Sequence, residues 1–255
     1  MTVEKHIPSA SLSPFIKHYL IVEMQDEQVN HIMPDTSLVM VFRFKGQVSF
    51  LENNAKNDLP ASMISGLRRS GKLVNYARHS ANLMVVFNEA GANAFIKAPL
   101  YELYDSSVSL DNIYKDVSAI EDQLAEATNN TERIRLVEQY LRSKLYPGEP
   151  DKLVLAALEK IHAAKGVIKI KELAQSLYIS QDAFEKRFRR VVGVSPKQFS
   201  NIIRMKSIVS NGFTKETLSE VAFNAGYFDQ PHFNKDFKLF TGKTPTDFIK
   251  TPPLW

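Results

Sequence analysis

The stretch Glu220 to Phe248 reads EVAFNAGYFDQPHFNKDFKLFTGKTPTDF, and the stretch Glu172 to Phe199 reads ELAQSLYISQDAFEKRFRRVVGVSPKQF. Both carry Phe-x3-Phe-x4-Gly-x2-Pro-x2-Phe: Phe184, Phe188, Gly193, Pro196 and Phe199 in one, Phe233, Phe237, Gly242, Pro245 and Phe248 in the other. These five positions are offset by 49, whereas Glu172 and Ala174 stand 48 before Glu220 and Ala222, so a one-residue indel falls in the turn inside each unit. The chain holds two tandem copies of one small helical module.

Each copy reads as a helix, a tight turn and a second helix. In the first, Ile170, Leu173, Ala174 and Leu177 recur at helical spacing, and Ser180 stands as N-cap before Phe184, Phe188 and Val191. Only Tyr178 and Ile179 lie between, too short a connection for anything but a helix-turn-helix. In the second, Leu218, Val221, Ala222 and Ala225 form the first helix, Gly226 the turn, and Asp229 caps a helix carrying Phe233, Phe237 and Phe240. Between the copies, Phe199, Ile202, Ile203, Lys206 and Val209 predict one helical rod that starts at Pro196 and ends at Asn211-Gly212.

Burying the phenylalanines leaves a polar face on each second helix. It comprises Gln181, Asp182, Glu185, Lys186, Arg189 and Arg190 in copy one and Gln230, Pro231, His232, Asn234, Lys235 and Lys238 in copy two. Amide, imidazole and cationic groups bond to base edges and neutralise phosphates, and successive major-groove faces about 34 Å apart give paired helices a use. The bland alternative is an ordinary solvated helix face.

Residues from about Leu153 to Ile249 resemble the DNA-binding domain of the AraC/XylS-type transcription regulators. The resemblance is carried by Val221-Ala222 through Gly226-Tyr227, by Asp229-Gln230-Pro231-His232-Phe233, by Phe237-Lys238 and by Gly242-Lys243-Thr244-Pro245. It implies two helix-turn-helix units joined by a long helix, with Asp182, Glu185 and Lys186 and then Gln230, His232 and Lys235 as base-reading residues. Asp182 and Glu185 repel phosphate, yet a carboxylate accepts from a cytosine amino group; alternatively Glu185 pairs with Arg189 one turn later. Tyr178 departs from the family pattern, since many members have Gly at that turn.

Charge divides along the same line. Residues 151–255 hold 17 Lys and Arg against 10 Asp and Glu, net +7, while residues 1–150 hold 15 against 18, net −3. A basic half beside a mildly acidic one is the footprint of an appended nucleic-acid module. Tyr146-Pro147-Gly148-Glu149-Pro150 marks the expected boundary, giving domains 1–148 and 149–255. With 44% apolar and 24% charged residues the chain has globular composition. The absence of cysteine removes disulfides, thiol redox switches and thiolate metal sites. No apolar run suits a signal peptide or a membrane span, so a cytoplasmic protein without an anchor is expected.

In the N-terminal half, Leu38 to Phe44, Val48 to Leu51, Met63-Ile64, Leu73 to Tyr76 and Leu83 to Phe87 read as short strands. Gly46 and Gly66 punctuate them, and Asn53-Asn54 and Asn57-Asp58 mark turns. A small β-barrel or sandwich follows. Ala92 to Ile96, Val117 to Ala127 and Thr131 to Leu145 read as helices, the last with Ile134, Val137, Leu141 and Leu145 on one face, widened by Leu136 and Tyr140, to dock in cis or on a second subunit. Leu12-Ser13-Pro14-Phe15-Ile16, Met33-Pro34-Asp35, Phe87 to Ala92 and Pro99 to Leu103 resemble the cupin-like sensor regions of the same family, which implies an effector-binding or dimerising domain. The whole is expected to be α+β: a cupin-like barrel or sandwich with flanking helices, then an all-α domain.

His6, His18, His31 and His79 are scattered without metal-ligand spacing, and no nucleophile elbow, Walker loop or dinucleotide turn is present, so no metal, cofactor or enzymatic role is expected. Arg43 interrupts an apolar strand, where a charge needs a partner. With Arg68, Arg69 and Arg78 it is a candidate to face an anionic effector, Glu89 completing the set; alternatively Arg43 points outward or pairs with Glu89. The leading function is a sequence-specific transcription regulator, by family resemblance an activator that contacts RNA polymerase, with a possible homodimer. An architectural DNA-binding protein, or a small-molecule binder with a helical scaffold, is the alternative.

Overall fold

The structure, a computed structural model, describes residues 1–53, 55–146, 148–211 and 217–250. Asn54 in the expected turn, Pro147 in the expected boundary and Gly212 at the expected end of the rod lie outside the described residues. The first half is built from ten strands: β1 (Thr2–His6), β2 (Ile16–Glu23), β3 (Gln28–Ile32), β4 (Val39–Lys45), β5 (Val48–Glu52), β6 (Ala55–Asp58), β7 (Ser62–Ser65), β8 (Lys72–Tyr76), β9 (Ala81–Phe87) and β10 (Ser107–Ser109). They form a six-stranded sheet, β1-β2-β9-β4-β7-β10, and a four-stranded sheet, β3-β8-β5-β6, with antiparallel pairing throughout.

Side-chain alternation explains the layering. In β4, Met40 and Phe42 are fully buried in the larger core, on the side where Phe42 meets Tyr140 edge-on at 6.0 Å. Val39, Val41 and Arg43 point the opposite way, into the space between the sheets. Strand β9 repeats the division, with Leu83, Val85 and Phe87 in the larger core and Asn82 and Met84 on the inter-sheet side. Helices α1 (Val117–Glu126) and α2 (Asn130–Lys144) cover the outer face of the six-stranded sheet. Helix α2 therefore docks in cis, through Val137, Tyr140 and Leu141, and Glu138 accepts from the Ser9 backbone N–H at 2.7 Å.

Three expectations are corrected here. Asn57 and Asp58 lie in β6, paired with Phe50 and Ser49, because the Asp58 carboxylate takes a 2.7 Å bond from the Ser49 hydroxyl and suits the exposed edge. Strands β1 and β2 were not expected. The first is an exposed edge with no apolar alternation, and in the second Lys17 and His18 sit beside a pairing irregularity that blurs the period. Ala92 to Ile96 forms only a 3₁₀ turn, Gly91–Ala94.

The second half is helical: α3 (Lys152–Ala163), α4 (Ile170–Ser176), α5 (Gln181–Val192), α6 (Pro196–Asn211), α7 (Leu218–Asn224), α8 (Gln230–Thr241) and α9 (Pro245–Lys250). The duplication is visible in the packing. Phe184, Phe188 and Phe199 stack in sequence at 5.7 Å per step, and their counterparts Phe233, Phe237 and Phe248 at 5.6 and 5.3 Å. All but Phe248, at 7%, are fully buried, each contributing about 1.5–3 kcal/mol by leaving water. One apolar cluster runs from Leu12 to Phe248, so the two halves share a continuous core.

Candidate functional site

The two turns are held by matched devices. The Ser180 hydroxyl accepts from the Ala183 N–H at 3.4 Å, and the Asp229 carboxylate from the His232 N–H at 2.8 Å. A capping box of Thr217 and Glu220 starts α7. Tyr178 and Gly226 occupy the same place in the two turns, and both are left-handed, at φ 57° and 74°. The extra residue of the second turn is Phe228, whose side chain is exposed like that of Tyr178.

On α5, Asp182, Lys186 and Arg190 are exposed on the face opposite Phe184 and Phe188. Their counterparts on α8 run through Pro231 and Lys235, with Lys238 also exposed. Gln181 and Gln230, equivalent in the repeat, stand at the start of each helix. The Gln181 amide donates to the Glu185 carboxylate at 2.8 Å, and Gln230 accepts from the Ser219 hydroxyl at 2.8 Å. Glu185 thus takes its hydrogen bond from Gln181, while Arg189, the alternative partner, lies over the Tyr101 ring at 5.6 Å. Arg189 is exposed and also touches the first half there. His232 is exposed too, its ring packed edge-on against Tyr227 at 5.3 Å with Nε2 3.7 Å from Asp236. Asn234 is half-buried, its Oδ1 without a hydrogen-bond partner.

The first half touches both of these helices at their C-terminal ends. Each helix stops at a left-handed glycine, Gly193 at φ 98° and Gly242 at φ 76°. A Cβ on Gly193 would lie 3.2 Å from the Leu100 carbonyl oxygen, and one on Gly242 would lie 2.7 Å from the His31 Nε2. The Gly71 N–H donates to the Leu239 carbonyl at 3.1 Å. His31 is wedged between Gly71 and Gly242, and burial first, Lys243 second, lower its pKa below the ordinary imidazole value. Further out, Lys206 on α6 pairs with Asp35, and His162 on α3 with Glu89 at 2.7 Å. None of these long-range contacts had a local sequence signal.

A cavity of about 150 Å³ lies between the sheets, walled mainly by apolar side chains, with Arg43 and Arg68 in its lining. Arg43 donates to the Leu59 carbonyl at 3.1 Å, so it faces inward. Arg68 bonds the Ser65 hydroxyl and lies 5.1 Å from the Phe50 ring centroid. Three candidates fall elsewhere. Arg78 is exposed, 3.8 Å from Asp26, and Glu89 is held by His162, because both stand in connections that turn away from the inter-sheet space. Arg69 lines a separate cleft between the halves together with Arg68, Tyr104, Gln198, Tyr227 and Asp236. Sequence reading missed Ser65 and Asn82, which strand alternation places on the cavity side. Among the described residues no group of three or more His, Asp or Glu side chains is arranged to hold a metal ion, and no helix is long and apolar enough to cross a membrane.

Two capped units on one rod define a double helix-turn-helix domain. Residues 173–251 match a family model described as a helix-turn-helix domain, and residues 4–109 match one described as a domain of unknown function, DUF6597. The helical half thus carries a helix-turn-helix domain. Similar proteins include the uncharacterized HTH-type transcriptional regulator YisR of Bacillus subtilis, 32% identical over 32% of this chain and 29% of that one. The Msm operon regulatory protein of Streptococcus mutans is 30% identical over 35% of this chain and 33% of its own length. The matched region thus spans about a third of these curated relatives. Among solved structures, unsaturated fatty acid bound ToxT of Vibrio cholerae aligns over 91% of this chain and 94% of its own, at 13% identity and a TM-score of 0.41.

Proposed function

We propose that this protein is a sequence-specific DNA-binding transcription regulator, with α5 and α8 as recognition helices and the two-sheet half as the part that receives a signal. One observation carries the reading: helices equivalent by the 49-residue offset present open polar stripes from the same face of the same module. Gln181, Asp182, Glu185 and Lys186, and Gln230, His232 and Lys235, stand in the halves of the helices away from the contact with the first half. They are the base-reading set; Lys238 and Arg190 serve as phosphate contacts. His232 and Arg189, besides their contacts with Tyr227 and Tyr101, remain within reach of DNA on the exposed surface.

The division into 1–148 and 149–255 belongs to the same reading, as do a cytoplasmic location, contact with RNA polymerase in activation, assembly as a homodimer and the lack of an enzymatic role. Acidic and amide groups in the recognition set favour sequence reading over an architectural role, for which cations alone suffice.

The test is a selection from a random duplex library by the full chain and by Gln230→Ala. An enriched motif with two blocks about one helical turn apart, one blurred by the substitution, is the expected result. Salt-sensitive binding without a motif refutes it in favour of the architectural alternative.

A further inference from the structure

We propose that the exposed rings of Tyr178 and Phe228 are DNA contacts, each packing against the deoxyribose wall of the groove that receives the helix following it. The inference rests on reading α5 and α8 as recognition helices, and it adds an apolar contact that lies outside them.

Neither ring serves the fold. Tyr178 is 99% exposed and Phe228 97%, more than any other large hydrophobic side chain among the described residues. A single exposed ring needs no explanation. Here each helix-turn-helix unit carries one in its turn, just ahead of the Ser180 cap in the first and of the Asp229 cap in the second. The positions differ, since Phe228 is the extra residue of the second turn and Tyr178 stands where that turn has Gly226. Duplication alone therefore does not account for the pair.

Tyr178 also occupies a position that penalises it. Its φ of 57° is left-handed, and a side chain there strains backbone that glycine would relax. Strain kept with no packing in return is a mark of functional sites.

Position selects the partner. Both turns lie at the N-terminal ends of α5 and α8, whereas the first half touches these helices at their C-terminal ends, at Gly193 and Gly242. The rings are continuous with Gln181 and Asp182 on one helix and with Pro231 and His232 on the other, all exposed. In a helix-turn-helix the second helix presents its N-terminal residues to the bases while the first crosses the backbone, so the turn between them runs along the groove wall. A sugar offers C–H surface and no charge there, which suits an aromatic ring and gives affinity without base preference. Two units that carry the same feature fit a ligand whose own surface repeats, and a duplex repeats its groove wall about every 34 Å.

The experiment is fluorescence anisotropy titration of the full chain with the duplex enriched by the library selection and with a mixed-sequence duplex, each over a range of salt concentrations. The variants are Phe228→Ser, Tyr178→Phe and Tyr178→Asn, asparagine being tolerant of the left-handed conformation. Tyr178→Asn and Phe228→Ser are each expected to weaken binding about fivefold on both duplexes, the effect of half-burying one ring, and together about 25-fold. The slope of log affinity against log salt should stay as in the parent because no phosphate contact is lost, and Tyr178→Phe should keep the parent affinity. Affinity within about twofold of the parent in Tyr178→Asn or Phe228→Ser overturns the contact for that ring and points it at a protein partner. A loss confined to the enriched duplex overturns it in favour of a base contact, a loss in Tyr178→Phe in favour of the hydroxyl, and a loss with a flatter salt slope or a lower Tm in favour of a displaced helix. An enriched motif with neither ring mattering overturns this inference alone, whereas the expected losses on mixed-sequence duplex with no motif enriched overturn the sequence-specific reading alone. No binding of DNA by the parent overturns both.

Discussion

Tyr178→Gly is expected to stabilise the protein, although it deletes an aromatic side chain. Tyr178 is 99% exposed and held at φ 57°, so its ring buries nothing and its Cβ bears the strain of the left-handed turn. That strain is about 1–2 kcal/mol for a residue with a Cβ. Glycine removes it but loosens the unfolded chain, which returns about 0.4–1 kcal/mol. The net gain is about 0.7 kcal/mol, or about 1–3 °C in Tm for a chain of this size. The repeat supplies its own control. Gly226 holds the same place at φ 74°, and a Cβ there would lie 3.3 Å from Val167 Cγ1, so Gly226→Ala is expected to destabilise by at least the same amount. Urea titrations of both variants with a common m-value give the two free energies. Loss of stability in Tyr178→Gly beyond about 0.5 kcal/mol, outside the usual range for a surface change, would falsify the strain argument and assign the ring a contact.

Three further expectations concern other parts of the molecule. Phe188→Ala and Phe237→Ala should each cost about 3–5 kcal/mol, whereas Lys186→Ala and Lys235→Ala should leave Tm within a degree or two and weaken DNA binding; the opposite pattern in thermal melts and binding titrations means that the faces are reversed. His31 has its folded value lowered by burial and then by Lys243, so the unfolded chain binds more protons as pH falls and stability is lost below about pH 6.5, the ordinary value. His31→Gln should remove part of that loss between pH 7.5 and 5.5, leaving the portion due to His18, which burial, Lys5 and Lys17 shift the same way; parallel Tm profiles would contradict the assignment. Gly242→Ala should destabilise by about 1–2 kcal/mol from backbone strain plus the clash with His31, and His31→Ala in the same chain should relieve only the clash, so additive effects in a double-mutant cycle would show that no clash exists.

The helical half was legible because duplication doubles every signal. Phenylalanines at matching offsets marked the core, Ser180 and Asp229 marked the caps, and Tyr178 stood out because many members of the family that the sequence resembles have Gly at that turn. Arg43 was legible as a charge in an apolar strand, since alternation leaves it no choice but one of two faces. The side taken by Arg78 and Glu89 was not, because both lie in connections whose direction is set by the ends of other strands. His31 against Gly242, Asp35 with Lys206 and Glu89 with His162 join residues 73 to 211 positions apart, and no periodicity records such meetings. Strand β1 escaped for a related reason: an exposed edge is specified by its partner rather than by its own residues.

The two C-terminal glycines act together as the tips of a caliper. Gly193 rests against Leu100 and Gly242 against His31, two separate points of the first half. While both tips are seated, the opening between the recognition helices is set by the first half as well as by the rod that links them. For the span between the units to change, one tip must lift, and the choice of tip sets whether the first or the second unit swings.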